Sequence, residues 1–368
     1  MKLKSEPRFD AIIMGGGIAG LGVARALVLK KKKILVINQA VAGASTPHAS
    51  GILDPFVDLD FRPEILALTI PSVKKYPTWI RQIELLTGLK TGYQKNNLIY
   101  VAFNEAEEKK LRRFLNIPGA KRSMSISWLT PGEVQRFEPQ ISANVRGALC
   151  LRGVARIIPS QLLKTLRKWL QLKGVLFFDS TEKGELLTEK GKTIGIRVGS
   201  RLFLADRVVG CLGAWAGNEK KGSSLYQPIE PIRGQVAIYK RKSPLKVLLH
   251  TADGGYLIPW PGKRVLAGST VETVGFDPRV TAAGIKHIHE YATRLLPDLK
   301  RAMPVLTWAG LRPRSLSRSP KIGKTRISGY YVANGYFRCG ILIGLYAGEL
   351  LAQQMVSGKV PAKLRPFS

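Results

Sequence analysis

Cysteine is scarce in this chain, and the few present stand far apart. Cys150, Cys211 and Cys339 are the only three. With no C-x-x-C spacing among them, a disulfide framework and a thiolate metal centre are both excluded on sequence grounds. Histidine is almost as rare, with four at His48, His250, His287 and His289. None falls in an H-E-x-x-H spacing, and a pair two apart on a helix points to different faces, so no metal site is expected. No apolar run reaches the roughly 18 residues needed to span a bilayer. The first residues, Met1 to Arg8, are basic, but the apolar stretch behind them is too short for a signal-peptide core, so a cytoplasmic location is expected. Acid is the last shortage: 25 Asp+Glu face 58 Lys+Arg, a formal net charge of +33. A field of that size draws polyanions such as tRNA or another nucleic acid, or an anionic membrane face; it also serves solubility, and it constrains association more than catalysis.

What is there is ordinary for a globular protein. The 368 residues are 45% hydrophobic and 23% charged, long enough for two substructures with a core each. Phe9-Asp10-Ala11-Ile12-Ile13-Met14 reads as a short buried strand. It runs into Gly15-Gly16-Gly17-Ile18-Ala19-Gly20, which fits G-x-G-x-x-G with glycines at 15, 17 and 20. A helix from 21 to about 29 and a second apolar strand, Ile34-Leu35-Val36-Ile37, follow within about 30 residues. In that setting Gly15 permits the tight turn, Gly17 lets backbone approach a pyrophosphate, and Gly20 lets helix and strand pack closely. The helix N-terminus then faces the phosphates. The second strand should end in an acid that hydrogen-bonds ribose hydroxyls, but it ends in Asn38-Gln39. Asn38 can accept through its carbonyl oxygen, yet it is neutral, which could loosen affinity or admit a different nucleotide.

The rest of the chain carries the same pattern of elements. Residues 55 to 135 read as helical and peripheral. Apolar residues fall at helical spacing from 66 to 86, and Thr130-Pro131-Gly132-Glu133 forms a capping box. A further helix is expected from 160 to 171, with Leu162, Leu163, Leu166 and Leu170 on one side. From Gln235 to Ser269 the alternation changes to period two, as in antiparallel strands. Tyr330 to Ala333 reads as a strand, and a largely apolar helix from about 341 to 356 follows the turn around Gly335 and Gly340. Donors and positive charge at that helix start would favour an anionic group.

Several of these segments resemble the glycine oxidase and D-amino-acid oxidase (DAO) family of flavoenzymes. Ala44-Ser45-Thr46-Pro47-His48-Ala49-Ser50-Gly51-Ile52-Leu53 is similar to the loop that wraps the FAD pyrophosphate and ribityl chain. Ala205-Asp206-Arg207-Val208-Val209-Gly210-Cys211-Leu212-Gly213-Ala214-Trp215 resembles the strand returning to the nucleotide domain, and Arg233-Gly234-Gln235 the entry to the substrate sheet. Trp308-Ala309-Gly310-Leu311-Arg312-Pro313 is similar to the family's substrate-arginine motif, and Gly335-Tyr336-Phe337-Arg338-Cys339-Gly340-Ile341-Leu342 to its final flavin-contacting turn.

The resemblance implies an α/β fold. A Rossmann-type FAD-binding domain at 1–54, 151–224 and 321–368 would be joined to a second, antiparallel-sheet α+β substrate domain at 55–150 and 225–320. It implies FAD held by Gly15, Gly17, Ile18, Ala19, Gly20, Asn38, Gln39, Ser45, Thr46, Ser50, Gly51, Ile52, Gly213, Trp215, Gly335, Phe337, Arg338, Cys339, Gly340, Ile341 and Leu342. With no cysteine between Gly310 and Ser328, where some sarcosine-oxidase relatives attach their flavin, the FAD is expected to be non-covalent. The implied reaction is oxidation of the C–N bond of a small amine or amino acid by hydride transfer to flavin, the imine then hydrolysing. Arg312 would pair with a substrate carboxylate, Tyr256 would donate its hydroxyl to it, and Arg338 would sit near flavin and substrate. A second reading follows from the stretch from Arg301 to Gly348, which has no acid and the bases Arg301, Arg312, Arg314, Arg318, Lys321, Lys324, Arg326 and Arg338. Placed around the active-site mouth, these would suit a flavin oxidase acting on a carboxymethylaminomethyl-modified tRNA base. A third reading, a non-catalytic flavin-binding protein, rests on Asn38 alone.

Overall fold

A computed structural model of the chain describes residues 8–56, 62–116, 125–218 and 227–368. Among the described residues the strands form three sheets, of four, six and nine strands. The six-stranded sheet runs in the order Lys321–Lys324, Tyr330–Asn334, Val208–Gly210, Ala11–Met14, Ile34–Gln39 and Leu176–Ser180, parallel throughout except for its first strand. Its central strands are buried on both faces, as their continuous apolar sequences require. The expected first strand is split at Asp10, whose carboxylate accepts from the Lys33 backbone N–H, into Arg8–Phe9 and Ala11–Met14. Arg8–Phe9 joins the small four-stranded sheet instead.

Helices cover one face of the six-stranded sheet. The first helix, Ile18–Val28, and the last, Gly340–Ser357, lie in one apolar cluster with the strands. The helix Pro159–Leu172 and the long helix Pro63–Thr87 complete it. The first and last helices touch where neither has a side chain. A Cβ at Gly22 would stand 2.9 Å from the Gly344 carbonyl carbon, and one at Gly348 would run into Gly22. This close approach sends both helix N-termini toward the same place.

The nine-stranded sheet is antiparallel except for one pair, Leu248–Thr251 against Gln94–Ala102. Its long strands Ile229–Lys240 and Leu306–Ser315 pair over ten residues at one edge. The helix Ala282–Leu295 packs on one face. The stretch 55–135 is therefore not wholly helical and peripheral. Its helices Pro63–Thr87, Glu105–Arg112 and Pro131–Phe137 are present, the last opened by the Thr130/Glu133 capping box. Between them, however, Gln94–Ala102 is an inner strand whose second half is fully buried, and Ser125–Leu129 adds another. The sheet borders also differ from the expected division. Ile52–Leu53 and all of Gly147–Arg156 pair in the nine-stranded sheet, while Pro63–Thr87 packs with the other core. The expected border at 224/225 lies outside the described residues.

Candidate active site

A cavity of about 690 Å³ lies between the six- and nine-stranded sheets and takes its walls from both. On the six-stranded side the chain enters through Gly15, whose φ of 116° is open to glycine. A Cβ there would collide with the Cys211 carbonyl. The first helix begins at Ile18 with Gly17 as N-cap and no side-chain cap of its own, and Ile18 N–H donates to Thr46 Oγ at 3.2 Å. The last helix likewise starts at Gly340 behind Cys339, with no side-chain cap. Gly340 and Ile341 reach the cavity wall beside Gly15, Gly17 and Ile18. Two helix N-termini thus bring their partial positive charge and N–H donors to one cavity. Asn38 and Gln39 close the wall at the end of their strand, with Gly16 N–H donating to Asn38 Oδ1 at 3.1 Å.

The facing wall includes His250 and Tyr256, which belong to one row of residues across the nine-stranded sheet. Strand register places Tyr100 beside His250, His250 beside Tyr256, and Tyr256 beside Gly268. Tyr256 and His250 stack with ring centroids 5.4 Å apart, and Tyr100 meets His250 edge-on at 4.9 Å. The absent side chain of Gly268 makes room for the Tyr256 ring, since a Cβ there would run into the phenol. His250 is 4% exposed, and its Nε2 has no hydrogen-bond partner among the described residues. Burial first, and then the nearby Arg338 charge, together lower its pKa to about 3, so the imidazole is neutral at ordinary pH. Asp54, also buried and on the wall, accepts from Tyr100 Oη and from the Phe56 N–H.

Arg312 reaches the cavity from the strand Leu306–Ser315. Its Nη1 donates to the Thr270 carbonyl at 3.0 Å and its Nη2 to Ser269 Oγ at 2.7 Å. The guanidinium lies over Gly234, where any Cβ would strike it. A planar cation is thereby fixed in place by the neighbouring loop before a ligand arrives. Arg338, just before the last helix, lines the cavity near Gly254 and His250.

A profile of the DAO family, described as FAD dependent oxidoreductase, matches residues 10–354. The chain belongs to the DAO family of FAD-dependent oxidoreductases. It is 26% identical to a glycine oxidase of Geobacillus kaustophilus over 98% of this chain and 96% of that one. A bifunctional ThiO/ThiG protein of Trichormus variabilis is 28% identical over 97% of this chain, which spans about half (54%) of that longer protein. The solved structure of glycine oxidase from Geobacillus kaustophilus superposes with a TM-score of 0.89 at 26% identity, covering 98% of each chain.

The DAO cofactor is FAD, and the residues present fit it. Gly213 leaves its side-chain position open beside the cavity, with nothing within 4 Å of a Cβ there, and at Gly17 a Cβ would crowd Thr46 Oγ at 3.1 Å, so the backbone there stays bare. Of the expected residues, Gly15, Gly17, Ile18, Ala19, Asn38, Gln39, Ser45, Thr46, Ser50, Gly51, Ile52, Gly213, Trp215, Phe337, Arg338, Gly340 and Ile341 line it, as do Tyr256 and Arg312. Four stand behind the wall. Gly20 is where the first helix packs on the Gly15 carbonyl and Ile13, Gly335 makes a left-handed turn against Ile229, and Leu342 is buried in the helical core. The Cys339 thiol turns back to the Tyr336 carbonyl at 3.0 Å. Of the eight bases of the basic stretch, Arg312 and Arg338 line the cavity, and Arg314 stands beside it, its backbone bridged to Tyr336 and its guanidinium 6.0 Å from the Phe337 ring centroid. Lys321 and Lys324 lie on the outer strand of the six-stranded sheet.

His250 and Asp54 were not foreseen. Each lies in a short apolar segment with no motif of its own. The register of distant strands puts His250 on the cavity wall, and Asp54 stands one residue beyond the loop that ends at Leu53. The buried Asn334, beside the expected turn at Gly335, donates to the Gly213 carbonyl at 3.1 Å. No group of three or more His, Cys, Asp or Glu side chains is placed to hold a metal among the described residues, and no helix among them is long and apolar enough to cross a membrane.

Proposed function

We propose that this chain oxidises the carbon–nitrogen bond of a small amino acid or amine, FAD taking the hydride and water hydrolysing the imine product. Its relatives named glycine oxidase make glycine the first substrate to try. The observation that carries the reading is Arg312, a cation fixed by Ser269, Thr270 and Gly234 on the same cavity as two helix N-termini. Arg312 takes the substrate carboxylate through paired, charge-assisted hydrogen bonds. Tyr256 donates its hydroxyl to the same carboxylate from the neighbouring wall. Arg338 adds positive charge at the flavin edge. His250, held neutral, gives a polar surface without adding its own charge to those of Arg312 and Arg338. Val236 and the rings of His250 and Tyr256 give that end of the cavity a largely apolar lining.

The FAD is held non-covalently in this reading. Cys211, the cysteine on the cavity wall, is buried, and burial pushes its thiol well above the usual range. The test begins with the absorbance spectrum of the purified protein, followed by anaerobic addition of glycine, sarcosine, proline and D-alanine. Flavin bands that bleach with at least one of them are expected. Bands that stay oxidised with all four would overturn the small-amine assignment.

A further inference from the structure

Resting on the FAD assignment, we propose that Asp179 is a positioning residue for the cofactor's adenosine ribose, acting through Asn38 from the neighbouring strand. Dinucleotide folds place an acid at the end of the second strand to hold ribose hydroxyls. Here that place is Asn38, and the acid stands one strand over: Asn38 and Asp179 are register partners in the parallel pair Ile34–Gln39 and Leu176–Ser180. Asn38 lines the cavity and Asp179 does not.

The side-chain amide of Asn38 has one possible orientation. Gly16 N–H, which can only donate, faces Oδ1 at 3.1 Å, and the Asp179 carboxylate, an acceptor, faces Nδ2 at 3.1 Å. Arg167 holds the carboxylate in turn, Nη1 to Oδ1 at 2.9 Å and Nη2 to Oδ2, with its guanidinium 4.4 Å from the Phe177 ring centroid. That contact with Arg167 keeps Asp179 below the usual carboxylate range, so it is ionised and acceptor-only at neutral pH. The chain Arg167, Asp179, Asn38, Gly16 therefore ties the ribose end of the strand to the first glycine turn. A second acid at 38 would face Asp179 rather than help.

The test is FAD affinity, read by flavin fluorescence on apoprotein, with the thermal melt of each apoprotein as a folding control. Asp179 lies at the surface, its side chain 52% exposed, so Asp179→Ala is expected to fold. It should weaken FAD about fivefold by releasing the Asn38 amide. Unchanged affinity would overturn the proposal. Asn38→Asp, nearly isosteric, turns the Nδ2–carboxylate hydrogen bond into two facing oxygens and should weaken FAD about tenfold. The exchange Asn38→Asp with Asp179→Asn restores the hydrogen bond with donor and acceptor reversed, and should return affinity to within about threefold of the parent. An Asn38→Asp protein that binds FAD as tightly as the parent, or an exchange no better than Asn38→Asp alone, would overturn it. A parent protein that fails to bind FAD would instead refute the flavin assignment itself.

Discussion

Gly22→Ala tests whether the crossing of the first and last helices builds the cofactor end of the cavity. The new Cβ would stand 2.9 Å from the Gly344 carbonyl carbon and 3.2 Å from Leu345 Cα. Carbon atoms pack at about 3.5–4.0 Å, so the helices must part by roughly 1 Å. Overpacking of that kind costs about 1–3 kcal/mol, and the better helix propensity of alanine offsets up to about 1 kcal/mol of it. A net loss of about 1–2 kcal/mol lowers the melting temperature of a chain of this size by roughly 1–3 °C. Because Gly340 and Ile341 at the start of the last helix line the cavity, the same displacement should weaken FAD binding. The assay is a thermal melt of the apoprotein together with an FAD titration, with Gly132→Ala as control. Gly132 has nothing within 4 Å of its side-chain position, so its variant should melt no lower than the parent. A Gly22→Ala protein with unchanged melting and unchanged FAD affinity would refute the idea that close helix approach shapes the site.

Further outcomes follow from the opposite wall. Arg312→Met should lower kcat/KM for a carboxylate-bearing substrate by about 10²–10³, and Arg312→Lys should recover only part, because an ammonium cannot reproduce the planar fork; steady-state kinetics decide. Tyr256→Phe removes one neutral hydrogen bond and should cost about 2–10-fold in kcat/KM with the melt unchanged. His250 titrates near 3 folded against 6.5 unfolded, so below about pH 6.5 the unfolded chain binds the extra proton. Its contribution is fully present above pH 6.5 and falls by about 1.4 kcal/mol per pH unit as acid is added toward pH 3. Denaturant melts of the parent and His250→Gln between pH 7 and 5 should therefore converge as the pH falls; parallel curves would contradict the neutral, buried imidazole.

How much was legible in the sequence follows from how local each signal is. The glycine turn, its flanking strands and the first helix are contiguous, and G-x-G-x-x-G in that setting has a mechanical meaning residue by residue. The capping box at Thr130 is local too, and the structure keeps both of its hydrogen bonds. The strand Gln94–Ala102 was missed, although its run Leu98-Ile99-Tyr100-Val101 is β-branched and aromatic, because its partner Leu248–Thr251 lies some 150 residues away. His250 fails for the same reason, since strand register and not sequence spacing turns it toward the cavity, whereas Asp54 directly follows the loop that ends at Leu53. Asn38 shows the reverse case. The departure from an acid was visible in the sequence, but the carboxylate behind it, Asp179, is brought there by a parallel pairing across some 140 residues.

The most direct test of the central claim is the anaerobic reduction of bound FAD by glycine compared with methylamine, the same amine without its carboxylate. Reduction by glycine at a rate that saturates with concentration, with methylamine slower by at least about a hundredfold, is the result expected if Arg312 docks the substrate. Equal rates with the two amines, or reduction by glycine that survives Arg312→Met unchanged, would contradict it.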